Sequence, residues 1–115
     1  MYNMSVNMKL DESDTLNVAY FLATRGQEYF VNYNYDDAKQ FYSYAIDYIN
    51  DHFNRTELID SFIKDLYFNR AYCYYKLREY ENAIEDYNNF LKCRLTDNEK
   101  YAGNVNKASI EFYYL

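Results

Sequence analysis

The side chains that could carry catalytic or metal chemistry are few and widely spaced in this chain of 115 residues. His52 is the only histidine, and no serine or cysteine stands at a spacing that pairs it with a nucleophile. Cys73 and Cys93 have no second thiol or histidine at metal-ligand spacing. There is no glycine-rich phosphate loop. The sequence therefore predicts a protein that is not an enzyme and that binds no metal or other cofactor.

The same residues have structural explanations. His52 falls in the last turn of a predicted helix, where a protonated imidazole interacts favourably with the helix dipole. The two cysteines are predicted to be packing thiols, and no disulfide is expected. The acidic pairs Asp36–Asp37 and Glu85–Asp86 are predicted to lie on solvated helix surfaces.

Composition and charge limit the class of protein and its partners. The net charge of −6 argues against a nucleic-acid partner, since phosphate binding needs a concentrated basic surface. No stretch approaches the roughly 18 consecutive apolar residues of a membrane helix, and the N-terminus lacks the basic start and apolar run of a signal peptide. Half of the residues are hydrophobic, and proline is absent. These features predict one small, mostly helical domain with no membrane partner and a cytoplasmic location.

Two segments of the chain carry the same residue types at the same spacing. With Gly26 and Ala71 as position zero, small residues stand at 0 and +12 and aromatic residues at +3, +9 and +16. The two sets, called the ladder below, are Leu22, Gly26, Tyr29, Tyr35, Ala38, Tyr42 and Ile46, and Tyr67, Ala71, Tyr74, Tyr80, Ala83, Tyr87 and Leu91. Small residues at helical spacing let two helix axes approach closely, and the flanking tyrosines fill the space beside them. Each segment therefore predicts a pair of packed helices.

The full pattern predicts five helices. Thr56 is a candidate N-cap, and Thr96 with Glu99 forms a capping-box pattern. In the last helix Ala102, Val105, Ala108 and Phe112 are predicted to face the preceding helices. The expected ranges are Ser13 or Asp14 to Val31, Asp36 to His52, Thr56 to Leu77, Glu81 to Lys92, and a helix that follows Thr96.

The ladder resembles the tetratricopeptide repeat (TPR), a helix–turn–helix unit of 34 residues. Residues 19–50 and 64–95 both look like this family, and the run Tyr67-x-Asn69-Arg70-Ala71 is similar to co-chaperone members. The chain departs from the family pattern where Tyr33 and Arg78 replace a turn glycine, Asn50 and Leu95 a helix-ending proline, and Phe90 a small residue.

The resemblance implies an all-α TPR solenoid with two repeats and a fifth helix, which is half of a third repeat or a terminal helix. The expected organisation is an N-terminal extension at 1–12 and a TPR domain at 13–115. Within the domain we expect repeat 1 at about 19–52, an extended linker and helix at 53–63, repeat 2 at about 64–95 and the terminal helix at about 97–115.

In TPR proteins the first helices of successive repeats line a concave groove that receives a peptide or a partner helix. The resemblance therefore implies a non-enzymatic protein-binding module, with a co-chaperone or an assembly adaptor as candidate roles. The implied groove residues are Tyr20, Ala23, Gln27, Phe30, Asp65, Phe68, Asn69, Tyr72, Tyr75, Ala102, Val105, Asn106, Ser109 and Phe112. Most are neutral or aromatic, which favours an apolar or aromatic segment as the ligand.

Two alternatives remain open at this point. The first is capture of the acidic C-terminal tail of the chaperones Hsp70 or Hsp90 by a carboxylate clamp of two lysines, two asparagines and one arginine. Only Asn69 matches that clamp, because Ala23, Gln27, Ala102 and Asn106 occupy the other positions; a shifted register could bring Lys100 or Lys107 toward the groove. The second is a structural subunit that forms a homo-oligomer through its aromatic C-terminal helix.

Overall fold

The computed structural model describes residues 12–115, so most of the predicted N-terminal extension lies outside the described residues. All five predicted helices are present, and no strand occurs in this part of the chain. Each helix packs chiefly against its neighbours in sequence, which gives an all-α arrangement of successive helical hairpins. The helices are α1 Glu12–Val31, α2 Tyr35–His52, α3 Glu57–Lys76, α4 Tyr80–Leu91 and α5 Asp97–Tyr114.

Two of the helix starts are fixed by the caps that the sequence predicts. The Thr56 hydroxyl accepts the backbone N–H of Ile59 at 3.3 Å and begins α3. At the start of α5 the Thr96 hydroxyl accepts the backbone N–H of Glu99 at 3.2 Å, and the Glu99 carboxylate accepts the backbone N–H of Thr96 at 2.8 Å. These bonds satisfy backbone donors that have no partner within the helix.

The turns after α1 and α3 have the same backbone geometry. Tyr33 and Arg78, which replace the expected turn glycine, both adopt a left-handed conformation with φ of 64°. The N–H of Asn34 donates to the carbonyl of Tyr29 at 2.9 Å, and the N–H of Glu79 donates to the carbonyl of Tyr74 at 2.8 Å. This bond pattern closes a helix C-terminus as a Schellman motif. Tyr33 and Arg78 thus adopt the left-handed conformation that a turn glycine would adopt.

The ladder forms the interior of the hairpins. None of its residues is exposed, and the small residues Ala38, Ala71 and Ala83 are fully buried. Gly26 shows why one ladder position needs a small residue: a Cβ added there would lie 2.8 Å from Cδ1 of Tyr42. Because the Tyr42 ring lies directly on the α1 backbone, helices α1 and α2 pack as closely as the spacing predicts.

The packing face of α5 differs from the prediction. Ala108, Val105 and Phe112 are exposed, whereas the buried residues of the helix are Gly103 and Ile110. The reason is the size of Phe90, a buried ring that lies against the backbone of α5. A Cβ on residue 103 would lie 2.9 Å from Cδ2 and Cε2 of Phe90, so this ring requires a glycine opposite it. The predicted register of α5 was therefore wrong.

The prediction for Asp86 was also wrong. Its carboxylate is buried, with 2% of the residue exposed, and accepts two hydrogen bonds from Arg70, at 2.6 Å from Nε and 2.8 Å from Nη2. Nη1 of Arg70 donates to the Ser43 hydroxyl at 3.0 Å. A buried carboxylate requires such a paired and hydrogen-bonded cation. This ion pair links α3 to α4 and, through Ser43, to α2.

Candidate functional site

Two open cavities lie along α3, one between α3 and α1 and the other between α3 and α5. Most of the residues predicted to form the groove line one or the other. The first cavity, called the Asp65 cleft, has a volume of about 360 Å³ and is lined by Ala23, Thr24, Gln27, Tyr42, Phe62, Asp65, Leu66, Phe68 and Asn69. The second, called the tyrosine pocket, has a volume of about 170 Å³ and is lined by Tyr72, Tyr75, Tyr87, Asn106, Ser109 and Ile110.

The Asp65 cleft contains neutral hydrogen-bonding groups. The buried Tyr42 ring reaches from α2 into the cleft, and its hydroxyl donates to Oε1 of Gln27 at 3.0 Å. Burial raises the pKa of Tyr42, while a hydrogen bond from Asn69 lowers it in part, so the phenol stays protonated near neutral pH. The Gln27 amide is thereby held in place by a buried hydroxyl. Its NH₂ group and the amide of Asn69, which also lines the cleft, can bond to the backbone of a ligand.

The only charged side chain that lines the Asp65 cleft is Asp65 itself. Partial burial raises the pKa of its carboxyl group, and the field of Glu99 adds to this effect, while Lys64 opposes it. Lys64 forms its own ion pair with Glu99, at 2.7 Å between Nζ and Oε2. No basic residue in the described part of the chain lies within ion-pair distance of Asp65.

The tyrosine pocket lies between α3 and α5, with one wall from α4. The buried Tyr87 contributes its hydroxyl, which accepts a long hydrogen bond of 3.4 Å from Nδ2 of Asn106. Burial raises the pKa of Tyr87 to about 12. Ser109 is an exposed residue on the rim, and Ile110 closes the base. The pocket therefore combines aromatic and aliphatic surface with a few hydrogen-bonding groups.

Several predicted groove rings pack on other parts of the protein. Phe30 contacts Tyr72 with 5.7 Å between ring centroids, and Tyr35 contacts the same Tyr72 ring at 5.9 Å. Tyr20 of α1 lies 4.8 Å from Phe62 of α3. These contacts connect α1 and α2 to α3. Tyr20 and Phe30 therefore support the groove and line neither cavity. Phe68 lines the Asp65 cleft but also packs against the interior rings Tyr87 and Phe90.

The remaining predicted residues lie outside both cavities. Val105 is 44% exposed and Phe112 is 81% exposed, and the ring contact of Phe112 is with its neighbour Tyr113. Ala102 is partly buried and lines neither cavity. Because Gly103 and Ile110 set the packing face of α5, the pocket receives Asn106 and Ser109 from this helix.

No lysine or arginine lines either cavity. Lys100 and Lys107, the two candidates for a clamp with a shifted register, are not among the lining residues. Several other cations in the described residues are held in ion pairs: Arg25 with Glu28, Lys39 with Glu79, Arg55 with Asp60 and Arg94 with Glu57.

The candidate catalytic residues lie away from these cavities. The ring of His52 stacks on Tyr48 with 4.1 Å between centroids, and its Nδ1 lies 2.9 Å from the Tyr48 carbonyl oxygen. Cys73 and Cys93 are both buried, and burial raises the pKa of Cys73 to about 12. Among the described residues, no three His, Cys, Asp or Glu side chains come together as metal ligands.

Six lining residues were missed by the sequence reasoning: Thr24, Tyr42, Phe62, Leu66, Tyr87 and Ile110. A signal existed for Ile110, which follows Gly103 by two helical turns and so shares its face. No local pattern shows that the ladder residues Tyr42 and Tyr87 extend their hydroxyl groups into the cavities, since this depends on how the helices cross.

Comparisons with known proteins give no relative for this chain. No protein family, no curated protein and no solved structure matches it. Within residues 12–115, no helix is long and apolar enough to cross a membrane. The functional argument therefore depends on the geometry of the two cavities.

Proposed function

We propose that this chain is a non-enzymatic protein–protein interaction module that binds a peptide or a partner helix along the face formed by α1, α3 and α5. The observation that carries the proposal is the presence of two open cavities on this face, lined mostly by neutral amide, hydroxyl and aromatic groups, with Asp65 as the one charged side chain. Concave sites that combine apolar walls with a few polar groups are the usual places for a ligand. Tyrosine side chains add large contact area at low entropic cost.

A TPR-like solenoid is the architecture that we propose for this module. The burial of the ladder and the matching turns at Tyr33 and Arg78 support this proposal. In such an architecture the first helix of each hairpin contributes to one shared groove. A co-chaperone or assembly adaptor is the corresponding role.

The experiment that tests the proposal is a selection of peptides from a phage-displayed random library on the purified chain. Ser109→Tyr places a ring at the rim of the tyrosine pocket without replacing a buried side chain. Asn104→Tyr adds the same ring at an exposed position of α5 that lines neither cavity and serves as the matched control. We expect selected peptides to bind the Ser109→Tyr variant about tenfold more weakly, a loss of about 1.4 kcal/mol, and the Asn104→Tyr variant unchanged.

Two results would contradict the groove. One is a selection that enriches no peptide. The other is a set of enriched peptides whose affinity is unaffected both by Ser109→Tyr and by Thr24→Trp, which fills the Asp65 cleft from its exposed edge.

Capture of an acidic C-terminal tail is the first alternative. A terminal carboxylate needs cationic or amide donors around it, and the two cavities offer only amides and hydroxyls together with the carboxylate of Asp65. A binding titration with a free acidic C-terminal peptide tests this alternative. Tighter binding of that peptide than of its C-terminal amide would support it.

Self-association is the second alternative, and the exposed end of α5 favours it. Phe112, Tyr113 and Leu115 are all exposed, and the rings of Phe112 and Tyr113 lie 4.9 Å apart between centroids. Sedimentation equilibrium across a wide concentration range tests it. A monomer at every concentration would reject this alternative and leave the groove unaffected.

A further inference from the structure

No basic side chain in the described part of the chain forms an ion pair with the Asp65 carboxylate, although the charge of Lys64 acts on it from further away. Its cleft contains no basic residue, and the nearest lysine in sequence, Lys64, is paired with Glu99. Asp65 is an exposed residue, yet desolvation at the edge of the cleft raises the pKa of its carboxyl group, so the surroundings disfavour the ionised form. A cation brought by a ligand would relieve this cost, because an opposite charge close by favours the ionised form.

The tyrosine pocket lies along the same helix at a distance that a short peptide can span. Asp65 and Tyr72 are both on α3, seven residues apart. A helix rises about 1.5 Å per residue, so the two positions are separated by about 10 Å along the axis. An extended chain advances about 3.3 Å per residue, so three to four residues cover this separation.

We infer that the ligand of the groove is an extended peptide segment that places a lysine or arginine on Asp65 and an apolar side chain in the tyrosine pocket, three or four residues apart. The volumes agree with this assignment. A cavity of about 150 Å³ accommodates benzene, so the tyrosine pocket, at about 170 Å³, holds one apolar or aromatic side chain. The Asp65 cleft, at about 360 Å³, is large enough for a long basic side chain and its hydration water.

The overall charge supports the same partner. The chain carries a net charge of −6, so long-range electrostatics attract basic segments and repel acidic ones. Within the cleft, the amides of Gln27 and Asn69 are placed to bond to the peptide backbone, while Asp65 distinguishes side chains by charge. This inference rests on the proposed function and specifies the chemistry of the ligand.

The test uses three fluorescein-labelled peptides of equal length with serine at all spacer positions. The first carries lysine and phenylalanine four positions apart, the second has glutamate in place of the lysine, and the third has serine in place of the phenylalanine. Fluorescence anisotropy measures their binding to the full chain and to two variants. Asp65→Asn removes the proposed contact, and Asp47→Asn removes the same charge from an exposed position on α2 that lines neither cavity.

We expect the lysine–phenylalanine peptide to bind at least tenfold more tightly than either of the other two. Asp65→Asn should abolish the preference for lysine over glutamate, and Asp47→Asn should preserve it. Added salt should weaken the binding of the lysine peptide to the wild-type chain, because an exposed ion pair is screened.

Equal or tighter binding of the glutamate peptide would overturn the inference, as would a lysine preference that survives Asp65→Asn. Failure of all three peptides to bind at millimolar concentration would overturn it too. The proposed function has a separate test, since the library selection enriches groove ligands of any charge. Enriched peptides that lack a basic residue and still depend on Ser109 would therefore disprove this ligand chemistry while supporting the groove.

Discussion

The substitution Gly103→Ala tests the packing of α5 on α4 most directly. The added methyl group would lie 2.9 Å from two carbon atoms of the Phe90 ring and 3.0 Å from Cδ2 of Leu91. The two contacts with Phe90 are closer than carbon atoms tolerate, and the contact with Leu91 is unusually tight. Overpacking of this kind costs about 1–3 kcal/mol. Alanine has a higher helix propensity than glycine by about 1 kcal/mol. The expected net effect is a loss of about 1 kcal/mol in the free energy of unfolding.

A double-mutant cycle separates the clash from the change in propensity. Phe90→Leu removes the ring atoms that the new methyl group would meet. Because it takes carbon atoms out of a buried site, it should by itself cost about 1–2 kcal/mol. In the presence of leucine at position 90, Gly103→Ala should be less destabilising by about 1 kcal/mol. Urea unfolding followed by circular dichroism gives all four stabilities, with the slope m unchanged between variants.

Additive effects within about 0.5 kcal/mol would refute the reasoning, because residues in contact show coupling and distant residues do not. So would a Gly103→Ala variant that is stabilised by the full difference in helix propensity. Either result would mean that residue 103 does not face Phe90. The register predicted from the sequence, with Ala108 at the interface, would then regain support.

Three further predictions concern the fold. Tyr33→Gly and Arg78→Gly should each stabilise the chain by about 0.5–1 kcal/mol, as measured by urea unfolding. The left-handed conformation costs a non-glycine residue about 1–2 kcal/mol, and glycine loses less than this in entropy. A loss of stability would contradict the turn geometry. Asp86→Asn should lower the free energy of unfolding by about 3 kcal/mol, since it leaves the Arg70 guanidinium without its counter-charge. Replacing both residues with apolar side chains of similar volume should recover most of this loss. An effect of Asp86→Asn below about 1 kcal/mol would indicate an exposed pair. Burial raises the pKa of the Cys73 thiol to about 12, so the thiol ionises more readily in the unfolded chain than in the folded one. Its contribution to stability is therefore complete below about pH 9 and is lost as the pH rises toward 12. Cys73→Ala should reduce the slope of stability against pH in this window, and an unchanged slope would refute the assignment.

The helices could be predicted from the sequence because their determinants are local. Thr56 caps α3, and Thr96 and Glu99 form the capping box of α5, as their types and spacing indicate. The ladder was equally informative, because two copies of one spacing identify the buried face without any knowledge of the tertiary structure. These features depend on residues within one or two turns of one another.

The errors arise where two helices must be considered together. Phe90 and Gly103 form a pair of large and small residues on adjacent helices, and only the crossing of α4 and α5 shows that they meet. Asp86 was predicted to be solvated because Glu85 precedes it. Yet it follows the buried Ala83 by three residues and precedes the buried Phe90 by four, which places it in the apolar stripe of α4. A carboxylate in such a stripe indicates a buried partner, and that signal was available.

The candidate site was predictable in part. Asn69 and Asn106 were identified from the repeat pattern and do line the cavities. The absence of an ion pair at Asp65 could not be predicted, because it depends on Lys64 pairing with Glu99 of another helix. Which tyrosines fill the interior and which remain available to a ligand also depends on packing across helices.

The small buried surface of α5 has a consequence for how a ligand would be held. Only Gly103 and Ile110 are buried in this helix, whereas α3 buries six residues, so α5 is the element expected to detach first in brief opening events. Half of the tyrosine pocket leaves with it. A ligand in that pocket would suppress such openings, and the closed population would in turn set the apparent affinity. Backbone amide hydrogen exchange should be faster in α5 than in α3, and on binding it should slow selectively in α5. Docking of α5 on the rest of the domain would then be part of ligand recognition.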